Sequence, residues 1–281
     1  MAQRHDVVGV VTQPDRPAGR GHKLVATPVK RAAQAHGLRV YTPERLKPFV
    51  DEARALAPDA FVVASYGKIV PQALLDVPRL GALNVHPSLL PLYRGATPLQ
   101  SAIADGRAET GVSIILMDAG MDTGDVVLQE RTALGPDETY GELHDRLAAR
   151  GAVLLVDALD GIEHGTLPRR AQSSFGISDD EIARTLTRPI AKERWALDQT
   201  RGPQGMVNQI RSLAPAPAAR LAVDGETLKV LSARVARGDE PAGALTADDG
   251  VAYDGIVLLR VVPPNRAPMS GAAWRRSAAH A

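Results

Sequence analysis

Asn84 and His86 stand two residues apart at the end of the apolar run Ala82-Leu83-Asn84-Val85-His86, and Pro87 follows at once. Alternate side chains of an extended strand share a face, so this spacing sends an amide and an imidazole to the same side. Both can donate a hydrogen bond, and two donors aimed at one point suit the oxyanion of a tetrahedral intermediate. A second stretch, Met117-Asp118-Ala119-Gly120-Met121-Asp122-Thr123-Gly124-Asp125, puts three carboxylates in a glycine-containing turn. A carboxylate near an amide and an imidazole can orient the ring and accept a proton from an attacking amine, directly or through water. Asp122 is the favoured carboxylate of the three. Such a set, two donors and a base, is what acyl transfer to an amine requires. Ser88 lacks the G-x-S-x-G setting of a serine nucleophile. The string Gly19-Arg20-Gly21-His22-Lys23 has neither the Walker spacing nor the third Rossmann glycine, which argues against nucleotide hydrolysis and dinucleotide binding.

The elements that must position these residues follow from hydrophobic patterning. Short β-branched runs at residues 6–12, 60–65 and 81–86 read as buried strands separated by amphipathic segments, the pattern of βαβ units around a mostly parallel sheet. In such a sheet Asn84 and His86 fall at the carboxyl end of a strand, where open α/β folds place ligands. Residues 112–117 and 125–131 read as two more strands flanking the acidic turn, and 139–159 carries Leu143, Leu147, Val153, Leu154 and Ala158 at helical spacing. Pro87 and Pro91 stiffen the loop after the Asn-x-His strand, so Ser88, Leu89 and Leu90 are expected on an exposed, irregular edge that could line a pocket for a flat ring system.

Beyond residue 165 the texture turns polar and irregular, and a linker is expected over 166–187 between a catalytic domain at 1–165 and a second domain at 188–281. The second domain opens on a helix at 204–213. Short alternating runs follow at 220–223, 227–231, 243–245 and 256–262, punctuated by Asp-Gly pairs at 224–225, 249–250 and 254–255, a pattern that predicts a small OB-like antiparallel barrel.

Composition removes other classes. The 281 residues are 44% hydrophobic and 23% charged, the balance of a soluble globular protein. With zero cysteines, disulfides, a thiol nucleophile and Cys-bearing zinc sites are excluded, and no metal is expected in the chemistry. No apolar run reaches membrane-spanning length and the opening MAQRHDVVGVV lacks the layout of a signal peptide, so a cytoplasmic location is expected, and the chain is expected to act as a monomer. Net charge is +1 overall, but residues 188–281 hold 13 Lys and Arg against 9 Asp and Glu, a local excess that would suit a polyanion.

The strings LNVHPSLLPLYRGATPLQ and ETGVSIILMDAGMDTGD, in this order and at this separation, resemble the folate-dependent formyltransferases, in which Asn-x-His and a later Asp before Thr-Gly form the catalytic set. The resemblance assigns that set to Asn84, His86 and Asp122, makes 10-formyltetrahydrofolate the formyl donor, and places the folate against Ser88, Leu89, Leu90 and Pro91. Within the family, Thr12-Gln13-Pro14-Asp15-Arg16-Pro17-Ala18-Gly19-Arg20-Gly21 looks like the loop of the branch acting on initiator methionyl-tRNA. The loop's glycines and basic side chains suit phosphate contact at the tRNA acceptor end. Arg20 is the expected discriminating residue, with Arg16, Lys23 and Lys30 in support. The segments Pro241-Ala242-Gly243, Asp254-Gly255-Ile256 and Pro268-Met269-Ser270-Gly271 resemble that branch's tRNA-binding barrel.

Two departures qualify the match. Relatives carry a further strand and helix before the equivalent of Asp6, which implies either a start placed too late or a weakened variant, and Ala214-Pro215-Ala216-Pro217 stands where they usually carry a tryptophan. The alternatives left open are a formyltransferase acting on a small amine, such as glycinamide ribonucleotide or an amino sugar, and a catalytically weakened relative that binds tRNA.

Overall fold

Each β-branched run becomes a strand only as far as a neighbouring backbone can pair with it. In the computed structural model, which describes residues 1–18, 23–238 and 240–278, the run at 6–12 yields only β1 (Val10–Val11). A short ribbon follows, β2 (Arg16–Ala18) and β3 (Lys23–Val25), paired antiparallel. Helix α1 (Pro28–Ala35) starts where Thr27 accepts a hydrogen bond from the Lys30 N–H at 3.0 Å and Pro28 fixes the first turn. The chain then returns as β4 (Val40–Tyr41), parallel to β1. β1 pairs with β4 through Val10 and Val11, the Thr12 N–H adds a bond to the Tyr41 carbonyl at 3.0 Å, and Val8 is exposed.

Next come α2 (Val50–Ala55), β5 (Phe61–Val63), the single turn α3 (Gln72–Leu75) and β6 (Ala82–His86). After α4 (Pro98–Ala104) the chain forms β7 (Glu109–Leu116) and β8 (Val126–Ala133), and the sheet order is β5-β6-β7-β8. Here the expectation needs correcting: β5 and β6 are parallel but β6 and β7 are antiparallel, so the sheet is mixed rather than mostly parallel. Alternation of side chains sets which face a residue takes and says nothing of strand direction. Helix α5 (Tyr140–Glu163) opens on a reciprocal cap, the Thr139 N–H donating to Glu142 at 2.9 Å and the Glu142 N–H to the Thr139 hydroxyl at 3.4 Å. Leu143, Leu147, Leu154 and Ala158 are buried along one face. Gly151 sits where a Cβ would lie 2.8 Å from Val85, so the helix passes close under the strand that carries Asn84 and His86.

The remaining elements are α6 (Asp179–Arg184), α7 (Gly202–Leu213), β9 (Ala219–Val223), β10 (Glu226–Val235), β11 (Val251–Tyr253), β12 (Ile256–Val262), β13 (Met269–Ser270) and α8 (Gly271–Ala278). Strands run β11-β12-β10-β9 with β13 added on β12, all pairs antiparallel. Their inner face packs with Met206, Ile210 and Leu213 of α7 and Trp274 of α8 around Leu228, Val230, Ile256 and Leu258. The strand expected at 243–245 is reduced to a bridge on β11, with the Gly243 N–H donating to the Ala252 carbonyl at 2.8 Å and the Ala252 N–H to the Ala244 carbonyl at 2.9 Å. The Ala244 N–H bonds to the Pro241 carbonyl at 3.0 Å in a turn with Gly243 at φ +83°, and Leu245 keeps a single bridge to Val251.

The chain divides into two compact units, one of residues 1–86, 112–129 and 149–177, the other of 87–111, 130–148 and 178–281. Among the described residues no helix is long and apolar enough to cross a membrane.

Candidate active site

The site is built on β6 and on the turn between β7 and β8, all within the first unit. β6 is held on both edges: Val63 of β5 pairs with Asn84, and Ile115 and Ser113 of β7 pair with Asn84 and His86. Ala82 and Leu83 are fully buried, which fixes the register and with it the faces of the two polar residues. His86 is 4% exposed. Beside it Ser113 is buried, and its hydroxyl accepts a hydrogen bond from Gln129 at 2.8 Å.

Of the three carboxylates in the turn, Asp118 is occupied with the turn itself. Its Oδ1 accepts from the Gly120 N–H at 3.0 Å and from the Thr123 hydroxyl at 2.6 Å. Gly124 is required by a close approach, since a Cβ there would lie 1.8 Å from the Leu116 carbonyl oxygen, while the Leu116 N–H donates to the Asp125 carbonyl at 2.9 Å. These bonds bring the chain back over the end of β7 with Asp122 at φ +54°, a left-handed conformation that Asp tolerates better than most residues.

The Asp122 carboxylate thereby meets both strand residues. Asn84 Nδ2 donates to Oδ1 at 3.3 Å, and His86 Nδ1 lies 3.6 Å from Oδ2. Amide, imidazole and carboxylate, the set that the resemblance implies, are within reach of one another across 38 positions of sequence. The Asp122 side chain keeps 18% of its surface exposed, so the group is neither sealed nor fully solvated. Such an arrangement can orient the imidazole, present hydrogen-bond donors to a developing oxyanion and receive a proton.

One participant carries no signal in the local sequence. Gln172, in the polar segment expected to be a linker, is buried and donates to the backbone carbonyls of Asp122 and Gly124, each at 2.8 Å. The bonds span 50 and 48 residues, so neither composition nor periodicity could point to them.

The loop after β6 differs from expectation. Ser88, Leu90 and Pro91 are buried and Leu89 is half-buried, so this stretch is not an exposed edge. The Ser88 hydroxyl donates to the Leu92 carbonyl at 2.7 Å and the Leu92 N–H to the Leu89 carbonyl at 3.1 Å, which curls the loop and turns Leu90 inward. Just downstream, Tyr93 is buried with its hydroxyl donating to Asp105 at 2.9 Å and accepting from Arg107 at 2.7 Å. Burial is the main cause that pushes its pKa up to about 12.

Of the four basic residues expected to meet a polyanion, Arg16 lies on β2 with its guanidinium 3.3 Å from Glu44, and Lys30 is clasped by both oxygens of Asp15 at 2.9 and 2.8 Å. Lys23 pairs through its backbone with Ala18 across the ribbon, and Arg20 lies outside the described residues. Among the described residues no three His, Asp or Glu side chains group as metal ligands.

A family model described as formyl transferase matches residues 1–159. The chain is 46% identical to the methionyl-tRNA formyltransferase of Halorhodospira halophila, over 85% of this chain and 76% of that protein. It is 42% identical to the methionyl-tRNA formyltransferase of Chloroflexus aggregans, over 98% of this chain and 90% of that one. The fold is similar to that of an N-formyltransferase from Helicobacter canadensis, crystallised with folinic acid and dTDP-3-aminofucose, at a TM-score of 0.63 and 17% identity, covering 88% of this chain and 86% of that chain.

Proposed function

The chain belongs to the formyl transferase family, and we propose that Asn84, His86 and Asp122 carry its chemistry. It is an enzyme that formylates methionyl-tRNA, the activity for which its relatives are named; in this reading the tRNA is of the initiator type and the formyl donor is a folate. The donor we propose is 10-formyltetrahydrofolate, which offers an activated formyl group on N10.

The observation that carries the catalytic assignment is the meeting of Asn84 Nδ2 and His86 Nδ1 with the two oxygens of Asp122, at 3.3 and 3.6 Å. In the proposed reaction the neutral α-amine of the methionyl group attacks the formyl carbon, forming a C–N bond and an oxyanion. Asn84 and His86 donate to that oxyanion, and a lost donor of this kind costs about 3–4 kcal/mol in the transition state. Asp122 keeps the imidazole oriented and helps remove the proton from the attacking nitrogen as the intermediate collapses. The bond from the formyl carbon to N10 breaks, N10 takes up a proton, and tetrahydrofolate leaves. Every step uses hydrogen bonds and proton transfers that these side chains can supply, so the mechanism invokes no metal.

The folate is proposed to rest against Ser88, Leu89, Leu90 and Pro91 through the half-buried Leu89 and the loop backbone. Residues 1–165 form the catalytic part in this reading, 166–187 connect, and the antiparallel sheet within 188–281 is an OB-like barrel that binds tRNA, helped by an excess of Lys and Arg over Asp and Glu. Arg16, Arg20, Lys23 and Lys30 would meet the acceptor end, Arg20 as the discriminating residue. The protein is proposed to act as a cytoplasmic monomer. A small-amine acceptor is disfavoured by identities above 40% to enzymes named for methionyl-tRNA.

The test is transfer of labelled formyl from 10-formyltetrahydrofolate to charged initiator tRNA, with glycinamide ribonucleotide as competing acceptor. Formylated tRNA with no labelled ribonucleotide is expected. Label on the ribonucleotide alone would move the activity to small amines.

A further inference from the structure

We propose that Gln172 is a positioning residue for formyl transfer, its side-chain amide clamping the backbone of the turn that presents Asp122. The inference rests on the reading of Asp122 given above. Gln172 Nε2 lies 2.8 Å from the carbonyl oxygen of Asp122 and 2.8 Å from that of Gly124, so the two hydrogens of one NH2 group bridge the turn on either side of Thr123. The residue is 4% exposed, and water therefore does not compete well for those carbonyls.

The turn needs such an anchor. Asp122 sits at φ +54°, a conformation that costs an L-residue free energy and persists where its surroundings over-determine it. The bonds made by Asp118 tie Gly120 and the Thr123 side chain, and the Gln172 amide ties the backbone at Asp122 and Gly124. Rotation of the peptides flanking Asp122 would swing the carboxylate away from Asn84 and His86, with which it makes long contacts of 3.3 and 3.6 Å.

Gln172 is itself fixed to the strand that the turn leads into. Arg170 exchanges both backbone hydrogen bonds with Val126 at the start of β8, at 2.9 and 3.0 Å. A short 3-10 helix, Gln172–Phe175, then begins after Ala171, whose carbonyl accepts from the Ser174 hydroxyl at 2.7 Å. The Arg170 guanidinium stacks 4.2 Å over the Phe175 ring. Turn, strand and clamp thus form a closed local circuit in which the segment after α5 returns to brace the carboxylate.

The experiment compares wild type, Gln172→Met, Gln172→Glu and Asp122→Asn for kcat, for KM toward charged initiator tRNA and toward 10-formyltetrahydrofolate, and for Tm. Methionine keeps length and volume but removes both donors, and glutamate keeps the shape while facing the two carbonyls with an acceptor. We expect kcat to fall at least about tenfold in both glutamine variants with each KM within about twofold of wild type, the pattern of an interaction needed in the transition state. A kcat within about twofold of wild type in either folded variant, or a loss confined to KM, overturns the clamp. Failure of both variants to fold marks Gln172 as structural and overturns it as well. Asp122→Asn separates the two readings. If it keeps wild-type turnover, the role of Asp122 fails and the clamp with it; if it loses turnover while Gln172→Met does not, only the clamp fails.

Discussion

At the scale of single residues the site depends on which carboxylate reaches the strand. Asp118 and Asp122 lie in the same turn, yet one caps the turn and the other meets Asn84 and His86. The expected consequence is a sharp difference between two similar substitutions. Asp122→Asn keeps the shape but removes the charge proposed to orient His86 and to receive the proton, and should lower kcat by about a hundredfold or more while leaving tRNA affinity nearly unchanged. Asp118→Asn retains an acceptor for the Gly120 N–H and should cost little turnover. Single-turnover formylation with saturating tRNA reads both, and equal losses would argue that the turn rather than the Asp122 carboxylate matters. Asn84 and His86 were legible because strand alternation is local and strict, and Asp122 because it precedes Thr-Gly in the matched string. Gln172 was not legible, since its contact joins two irregular segments far apart in the chain and its neighbours Arg169, Arg170, Ser173 and Ser174 read as a solvated connection.

At the scale of elements, β6 and the turn from β7 to β8 are held by approaches too close for other residues. Gly124→Ala would place a Cβ 1.8 Å from the Leu116 carbonyl oxygen, a backbone atom that cannot step aside without breaking the turn. Urea unfolding should show a loss of about 1–3 kcal/mol, the usual cost of overfilling a packed site. Turnover should fall further than that loss of stability alone explains, because Asp122 moves with the turn. An alanine variant with wild-type stability and turnover would show the turn to be adaptable. The Tyr93 network carries a second expectation with a definite sign. Burial raises the phenol from 10.0 to about 12 in the folded chain, so its contribution to stability is full below pH 10 and is lost as pH rises through about 12. Wild type should therefore lose Tm relative to Tyr93→Phe across that alkaline window, and parallel Tm curves would refute the shift. Elements were read well where burial and period agree, as in α5, β6 and β12. They were misjudged where pairing partners decide: β1 pairs with β4 over two residues, and 243–245 keeps only a single bridge to β11 while the Ala244 N–H turns to the Pro241 carbonyl.

At the scale of the whole molecule, a net charge of +1 cannot by itself hold a polyanion, so the location of uncommitted cations decides how tRNA is held. Arg16 and Lys30 were grouped together from sequence, and their surroundings separate them. The Arg16 side chain is 64% exposed and its contact with Glu44 is a single one at 3.3 Å, the kind of surface pair that contributes little and exchanges readily for a phosphate. Lys30 is more enclosed and both Asp15 oxygens hold it, so its charge is already spent on fixing the segment after β1 to the start of α1. Arg16→Ala should therefore weaken tRNA binding and reduce the slope of log affinity against log salt by about 0.7–0.9, the signature of one lost phosphate contact. Lys30→Met should leave that slope unchanged and instead lower Tm. Filter binding of initiator tRNA over a salt series, with thermal unfolding alongside, reads both quantities. If the two variants exchange these behaviours, the Asp15 pair opens on binding and Lys30 is the phosphate ligand.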